Sequence, residues 1–431
     1  MYLTILQKSI DYIEDNLKTD ITVQELSEMA GFSIFHYYRL FQSAVGMPVM
    51  QYITRRRLLH ALYDMHCGEK IVSVAFVYGF ETQAGFYKAF MREFGYSPTE
   101  LLNMSKKKKP NRINLFKEEH IMVSHKKLKD ILQNWNLENE KLTDVVYEGT
   151  GNVSESACYV GDNYIIKFSL NLGNVEKHIA LSQALESVGL STALPIKTKD
   201  GNYVVANEEL YFYVTKRLEG KQLKPGTIYL EEYMSKARFI GEIIGQLSVA
   251  LTKVDVVTNQ ANIFKSAKEW AIPALVDKID LPSEFIERYE KVFGAIYESL
   301  PQQIIHRDPN PGNIILSDDK WGFVDFDLSE RNIRIFDPCY AATAILSESF
   351  EDGNIDKLRQ WIMIYKDILY GYDEVVKLTD NEWKAIPYVI ITNQFISTAW
   401  FAGQEKYGEL YEINRKMTEW MLQNFEDMIF E

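Results

Sequence analysis

Apolar and polar positions follow three successive patterns along the chain. They fall at helical spacing from about residue 4 to 103, in short apolar runs between turn signals from 142 to 217, and mostly at helical spacing again after 230. In the first stretch Thr22-Val23-Gln24-Glu25 reads as a capping box: the Thr22 hydroxyl accepts from the Glu25 backbone N–H, and the Glu25 side chain reaches back. Leu26 and Ala30 then share one helix face, and Gly31 closes that helix. Ser33 caps a second helix, Ile34 to Phe41. The pattern repeats: Ile71 to Tyr78 forms a helix, Gly79 the turn, and Thr82 caps Gln83 to Glu93. Two helix-turn-helix units in tandem are the prediction.

The run Lys106-Lys107-Lys108-Lys109-Pro110-Asn111-Arg112 repels itself and ends in a proline, which predicts a linker; its alternative is a nonspecific phosphate contact. Lys126 to Trp135 predicts a helix. Strands are predicted at Val145-Val146-Tyr147, Ala157 to Val160, Tyr164 to Phe168, Tyr203-Val204-Val205 and Tyr211 to Val214, with a helix over about 174–188 interrupting them.

Composition narrows the class. The 431 residues are 46% hydrophobic and 25% charged, as expected of a soluble protein of several domains. No run approaches the roughly 18 apolar residues of a membrane helix, and the N-terminus lacks a basic stretch followed by an apolar one. Cys67, Cys158 and Cys339 are far apart, which fits a reducing cytoplasmic setting and argues against a disulfide framework. The net charge of −13 is unevenly spread: residues 1–112 carry about +3 and the remainder about −16. The acidic part would repel DNA and attract a cationic small molecule.

Specific strings sharpen both halves. Val74 to Gln83 (VAFVYGFETQ), followed by Phe86 to Pro98 (FYKAFMREFGYSP), closely resembles the signature of AraC-type transcription factors, and Ala30-Gly31-Phe32-Ser33 with Arg39-Leu40-Phe41 matches its first half. The resemblance covers about residues 5–103 and implies recognition helices in adjacent major grooves of double-stranded DNA. The matching exposed positions are Phe35, Tyr38 and Arg39 in the first helix, and Gln83, Ala84, Tyr87 and Lys88 in the second. Phe35 and Tyr38 would otherwise be core aromatics, but Leu40 and Phe41 already supply a buried face.

In the second half, Ile304-Ile305-His306-Arg307-Asp308-Pro309-Asn310-Pro311-Gly312-Asn313 leads into Ile314-Ile315-Leu316, and Trp321-Gly322-Phe323-Val324-Asp325-Phe326-Asp327 follows. Phosphoryl transfer needs a carboxylate to accept the proton of an attacking hydroxyl, and an amide oxygen with a second carboxylate to hold a divalent metal. These strings supply all three. They resemble the aminoglycoside-phosphotransferase and choline-kinase-like superfamily, strongly over 304–328 and diffusely elsewhere between 125 and 431. The resemblance implies Asp308 as catalytic base, Asn313 and Asp325 as metal ligands, with Asp327 as a second candidate, and His306 as a brace for the loop. The frequent family form has Gly after the His and His before the second Pro; here these are Arg307 and Asn310.

The same resemblance implies that Lys167 reaches the phosphates of ATP or GTP with Mg2+ present. Glu176 would pair with that lysine, Glu186 or His178 being alternatives. The Tyr213 to Gly220 stretch would form a hinge whose Thr215 and Leu218 hold adenine, and Tyr147 to Glu155 would cover the phosphates. Acidic residues near the C-terminus (Glu405, Glu409, Glu412, Glu419, Glu426, Asp427, Glu431) read mostly as solvated helix faces, and Trp400 and Phe401 as core in preference to pocket wall.

The expected architecture is multidomain: an all-α double helix-turn-helix domain (1–104), a linker (105–124), and an α+β bilobal protein-kinase-like domain with a strand-rich lobe (125–217) and a helical lobe (218–431). The expected function joins a sequence-specific DNA-binding regulator to an ATP-dependent phosphotransferase acting on a small-molecule hydroxyl, with cationic acceptors among the candidates and no membrane partner. Two rival readings stay open. The kinase-like domain could sense ligand without turnover, as effector domains of AraC-type regulators do, and the DNA-binding module could be a docking surface.

Overall fold

The computed structural model describes residues 2–105, 107, 109–110, 112–115, 123–146, 153–317, 320–403 and 408–430. The Tyr147–Asn152 part of the expected phosphate-covering loop lies outside them, as do Glu405 and Glu431. The chain divides into two compact units. One comprises residues 1–170 and 196–217, the other 171–195 and 218–431.

The first unit begins with helices α1 (Tyr2–Asp15), α2 (Val23–Ala30), α3 (Ile34–Val45), α4 (Val49–His66), α5 (Ile71–Val77), α6 (Gln83–Phe94) and α7 (Pro98–Met104). Local chemistry sets their ends. Thr22, Ser33 and Thr82 each accept a hydrogen bond from a first-turn backbone N–H, and Gly31, Gly46 and Gly95 close the helices in the left-handed region. The expected capping box at Thr22 is only half made. The Glu25 carboxylate instead accepts from the Tyr12 hydroxyl at 2.5 Å, tying α2 to α1. Tyr37, Phe41 and Val45, rather than Leu40, are the fully buried residues of α3, while Leu40 is only partly covered.

Beyond the lysine run, Ile113 and Leu115 are tied to α1. Gln7 donates to the Ile113 carbonyl at 2.9 Å and accepts from the Leu115 N–H at 2.7 Å, and Ile113 joins the helical core. Helix α8 (His125–Leu132) follows, with a 3-10 turn to Trp135. Strands β1 (Leu142–Val146), β2 (Val153–Val160), β3 (Tyr164–Ser169), β4 (Val204–Asn207) and β5 (Leu210–Lys216) form an antiparallel sheet in the order β1-β2-β3-β5-β4. Leu128, Leu132 and Trp135 pack with Phe168, Phe212 and Val214.

The helical module is fastened to β1, the edge strand. Arg55 of α4 reaches Asp144 of β1 at 3.0 Å, donates to the Glu93 carbonyl at 3.3 Å and lies over the Phe94 ring. His125 takes the other Asp144 oxygen at 2.7 Å. Asp144 is buried, so these partners are what make its charge tolerable there. Gly95 permits the close approach: its φ is +78°, and a Cβ would stand 2.4 Å from the Leu142 carbonyl oxygen.

The second unit holds α9 (Leu172–Ser187), β6 (Lys221–Gln222), α10 (Pro225–Ile228), α11 (Tyr233–Leu251), α12 (Ile263–Ser266), α13 (Ile272–Leu275) and α14 (Ser283–Tyr297). After these come β7 (Gln302–Ile305), β8 (Ile314–Leu316), β9 (Trp321–Phe323), β10 (Glu330–Ile333), α15 (Phe336–Ser349), α16 (Ile355–Val375), α17 (Asp380–Ala402) and α18 (Gly408–Gln423). Small antiparallel sheets, β6-β8-β9 and β7-β10, carry the loops of interest. Helices α11 and α16 touch backbone to backbone: a Cβ on Gly241 would lie 1.9 Å from the Ile368 carbonyl oxygen, and one on Gly371 2.0 Å from that of Arg238. Trp361, Tyr365 and Tyr372 of α16 are fully buried in the large apolar core. Trp400, expected in the core, is 44% exposed at the end of α17, edge-on to Phe401.

One buried ion pair anchors the helical module. Glu14 of α1 accepts from Arg56 at 2.5 and 2.8 Å and from the Tyr52 hydroxyl at 3.0 Å, with His60 at 3.4 Å. Burial opposes its ionisation, but His60 and Arg56 outweigh it and hold the carboxyl at about 2. A depressed carboxyl contributes stability that is present above its ordinary pKa of 4.5 and is lost as pH falls towards about 2. Urea unfolding should therefore show Glu14→Gln less stable than wild type at neutral pH by roughly 3–5 kcal/mol. The difference should narrow as pH falls from about 4.5 to 2. A pH-independent difference would rule out this account.

Candidate functional site

Strand β7 ends at Ile305, and the chain turns at once through His306, Arg307 and Asp308. Arg307 has φ +77°, a left-handed conformation unfavourable to a residue with a Cβ. The turn is held by a residue sequence reasoning passed over. Asp337, in the first turn of α15, accepts from the His306 N–H at 2.8 Å through one oxygen and from the Arg307 N–H at 2.9 Å through the other. Burial pushes the Asp337 carboxyl up, opposed by His306 and by the two N–H donors. A sequence signal existed: Asp337 is the one charge in the apolar run Ile335-Phe336-Asp337-Pro338-Cys339.

His306 is fully buried and neutral, since burial drives its pKa down. Its two nitrogens have separate partners: Nε2 donates to the Val324 carbonyl at 3.0 Å, and Nδ1 accepts from the Asp308 N–H at 3.3 Å. The imidazole thus bridges the loop before β8 to the segment after β9. Val324 N–H in turn donates to the Asn313 carbonyl at 3.1 Å.

Asp308 receives the Asn310 amide at 2.8 Å and the Asn313 amide at 3.2 Å, one on each oxygen. Asn313 also donates to the Asp308 carbonyl at 2.8 Å. An amide whose nitrogen is spent this way turns its oxygen to the opposite side. Burial raises the Asp308 carboxyl, and Asp325 adds to the rise. Asn310, the Tyr340 hydroxyl and Arg307 oppose it. Asp325, at φ +70°, is the second strained residue with a Cβ in this region. Asp308, Asn313 and Asp325 thus belong to one small constellation.

The two departures from the family's frequent form have defined partners. The Arg307 side chain lies over the Phe336 ring, 4.4 Å from its centroid, and pairs with Glu330 at 2.9 Å. Asn310 holds the Asp308 carboxylate.

Among the nucleotide-site candidates, Lys167 lies mid-strand on β3, in register with Ala157 and Tyr213. Thr215 is buried near the end of β5, and Leu218 lies against Gly322. Glu176 is exposed on α9, whereas His178 of that helix is buried and reaches Phe326 and Asp327. Of the C-terminal acidic residues, Glu412 and Glu419 pair with Arg415, and Glu426 with Arg288.

On the helical module, Phe35 is 72% exposed and Arg39 is exposed beside it; Tyr38 is half-buried. Gln83, Ala84 and Lys88 are exposed on α6, and Tyr87 is half-buried with its hydroxyl 3.5 Å from Thr99. Both helices present these residues away from the buried faces formed by Tyr37 and Phe41 and by Phe86 and Phe90. No helix among the described residues is long and apolar enough to cross a membrane.

Comparison with known proteins matches residues 26–104 to a helix-turn-helix domain family and residues 150–364 to the phosphotransferase enzyme family. The transcriptional activator AarP of Providencia stuartii is 30% identical over 97 residues, 22% of this chain and 72% of that protein. The multiple antibiotic resistance protein MarA of Escherichia coli is 32% identical over 90 residues, 21% of this chain and 71% of MarA. The uncharacterized regulator YbfP of Bacillus subtilis is 37% identical over 101 residues, and the chain spans only 33% of its length. Among solved structures, an amicoumacin kinase in complex with AMP-PNP and Ca2+ aligns with a TM-score of 0.52 at 14% identity, covering 68% of this chain and 92% of the kinase. A microcompartment-associated aminopropanol kinase aligns at 0.51 and 13%, covering 70% and 98%. These two likenesses show the fold.

If Asp337 holds the turn, Asp337→Ala leaves two N–H groups without their acceptor. The expected cost is roughly 2–6 kcal/mol in urea unfolding. An unchanged midpoint would mean that other contacts suffice to hold the loop.

Proposed function

We propose, for a chain that belongs to the AraC-type helix-turn-helix regulators by its N-terminal module and to the phosphotransferase enzyme family by its C-terminal domain, that one polypeptide both binds a promoter and phosphorylates a small molecule. The observation that carries the second activity is the anchored constellation of Asp308, Asn313 and Asp325.

In this reading Asp308 orients the acceptor hydroxyl and takes its proton as the oxygen attacks the γ-phosphorus of ATP or GTP. The bond from that phosphorus to the bridging oxygen breaks, and the nucleoside diphosphate leaves. Asn310 and Asn313 fix the carboxylate in place for that step. The Asn313 amide oxygen and the Asp325 carboxylate are hard oxygen donors, a set that suits Mg2+. Bound there, Mg2+ would neutralise charge on the phosphates. Lys167 is proposed as the phosphate-binding lysine, Glu176 as its partner, and the Thr215 to Leu218 connection as the adenine contact. A small amino-bearing alcohol is the proposed acceptor: the C-terminal part is acidic, and two fold neighbours are kinases named for amicoumacin and aminopropanol.

On the DNA side, Arg39, Gln83 and Lys88 are proposed to contact bases or phosphates, with Phe35, Tyr38, Ala84 and Tyr87 completing the two reading faces. The exposure of Phe35 and Arg39 on α3, and of Gln83, Ala84 and Lys88 on α6, supports this.

Two measurements test the halves separately. Mg-dependent ADP release with pooled aminoglycosides, amino alcohols and amino sugars should appear in wild type and vanish in Asp308→Ala. Nucleotide binding without turnover across such pools would favour a ligand-sensing domain instead. For the promoter, Gln83→Ala should weaken binding to the protein's own upstream region by about 1–3 kcal/mol and relax its sequence preference. Binding that does not distinguish that region from scrambled DNA would remove the regulator reading at that locus.

A further inference from the structure

Asp325 is held in a conformation its own chemistry disfavours. Its φ of +70° belongs to the left-handed region, where a Cβ crowds the backbone. Such a residue persists only where its surroundings over-determine it. Two peptide planes set its φ and ψ: the one that carries the Val324 carbonyl and the one that carries the Phe326 N–H.

Each plane is gripped by a buried histidine. His306 donates from Nε2 to the Val324 carbonyl at 3.0 Å. His178, 1% exposed on α9, accepts from the Phe326 N–H through Nδ1 at 3.2 Å. The Phe326 side chain is fully buried, its ring 4.7 Å from that of His306 and 6.4 Å from that of His178.

We propose that His178 is a positioning residue for Asp325, clamping the peptide on its C-terminal side so that the carboxylate is presented in one orientation to a divalent cation. This rests on the reading of Asp325 as a metal ligand. His306 belongs to the catalytic-loop motif. His178 lies more than a hundred residues upstream, on a helix whose motif position was assigned to a carboxylate, Glu176.

The hydrogen-bond pattern fixes what His178 must do. Asp327 Oδ1 also lies 3.0 Å from Nδ1, and one nitrogen cannot both donate to that carboxylate and accept from Phe326. The peptide N–H always carries its proton, and leaving it without an acceptor in a buried setting is unfavourable. Taken as the acceptor for Phe326, Nδ1 carries no proton, and the neutral imidazole then holds its proton on Nε2. The Asp327 charge is answered by Lys177, the preceding residue on α9, whose ammonium both Asp327 and Glu330 favour against the effect of burial.

This assignment makes the choice of substitution informative. In Asn the amide oxygen stands at the same position along the side chain as Nδ1 in His, and it accepts without donating. His178→Asn should keep the clamp, and His178→Leu should lose it at similar bulk.

Full-length wild type, His178→Asn and His178→Leu would be titrated with Mn2+ in the presence of AMP-PNP, reading free Mn2+ by electron paramagnetic resonance. Metal-free thermal unfolding would be recorded alongside. Loss of a group that orients a metal ligand typically costs 10- to 100-fold in metal affinity. His178→Leu should therefore bind Mn2+ at least about 10-fold more weakly, while His178→Asn stays within about 3-fold of wild type. Wild-type affinity in a folded His178→Leu would overturn the inference. Equal weakening in both folded variants would overturn it too, because the acceptor atom would then not be what matters. If His178→Leu does not fold, His178→Asn decides alone: retained affinity supports the clamp and a 10-fold loss refutes it. Absence of Mn2+ binding in wild type itself would instead sink the metal-ligand reading of Asp325, and the inference with it.

Discussion

A single buried carboxylate organises the loop between β7 and β8. Asp337 spends both oxygens on backbone N–H groups of His306 and Arg307, residues some thirty positions earlier. Taking a carboxylate out of water is costly unless its acceptor sites are filled, and here they are filled by donors that cannot lose their protons. The result is directional. With those two peptides pinned, His306 is aimed at Val324, and through Val324 the segment carrying Asp325 is placed relative to Asp308. The left-handed turn at Arg307 costs roughly 1–2 kcal/mol. It survives because its own N–H has that buried acceptor.

The same logic, with side-chain donors in place of backbone N–H groups, governs the joint in the first unit. There a buried Asp144 on an edge strand is approached by the Arg55 guanidinium from a DNA-module helix and by His125 from the helix that precedes the strand. An edge strand ordinarily exposes unpaired backbone groups. Covering β1 with the end of α6 and with Gly95 gives that edge a structural role. It also makes the DNA module and the sheet one packed body, since Val146 of β1 lies in the helical core. Coupling of DNA binding to events at the sheet through this joint would act equally in both directions.

What was legible in the sequence follows from how local its causes are. The tandem helix-turn-helix units were readable because Thr22, Ser33, Thr82 and the closing glycines act within a few residues of themselves. Strands β2, β3 and β5 announced themselves as apolar runs. Strand β10 did not: Glu330-Arg331-Asn332-Ile333 is polar, and it is a strand because β7 pairs with it. The strings around Asp308 and Asp325 were legible as strings, but the residues that support them were not. Asp337 acts over thirty residues and His178 over nearly a hundred and fifty. The helix expected from about 174 begins at Leu172, and Glu176 proves exposed where His178 is buried. Glu25 shows the same limit on a small scale, since a tertiary partner, Tyr12, outcompeted the local capping contact.

Arg307 shows how a departure from a family's common residue can be absorbed and used. Glycine would adopt φ +77° without strain, so a residue with a Cβ needs compensation. The guanidinium supplies it by stacking on Phe336 and pairing with Glu330, contacts no glycine could make. The cation then has a second effect. Burial and Asp325 push the Asp308 carboxyl towards its neutral form, and a base must be ionised to work. Arg307 opposes that push, alongside Asn310 and Tyr340. The substitution therefore exchanges backbone ease for charge balance at the residue on which proton transfer would depend.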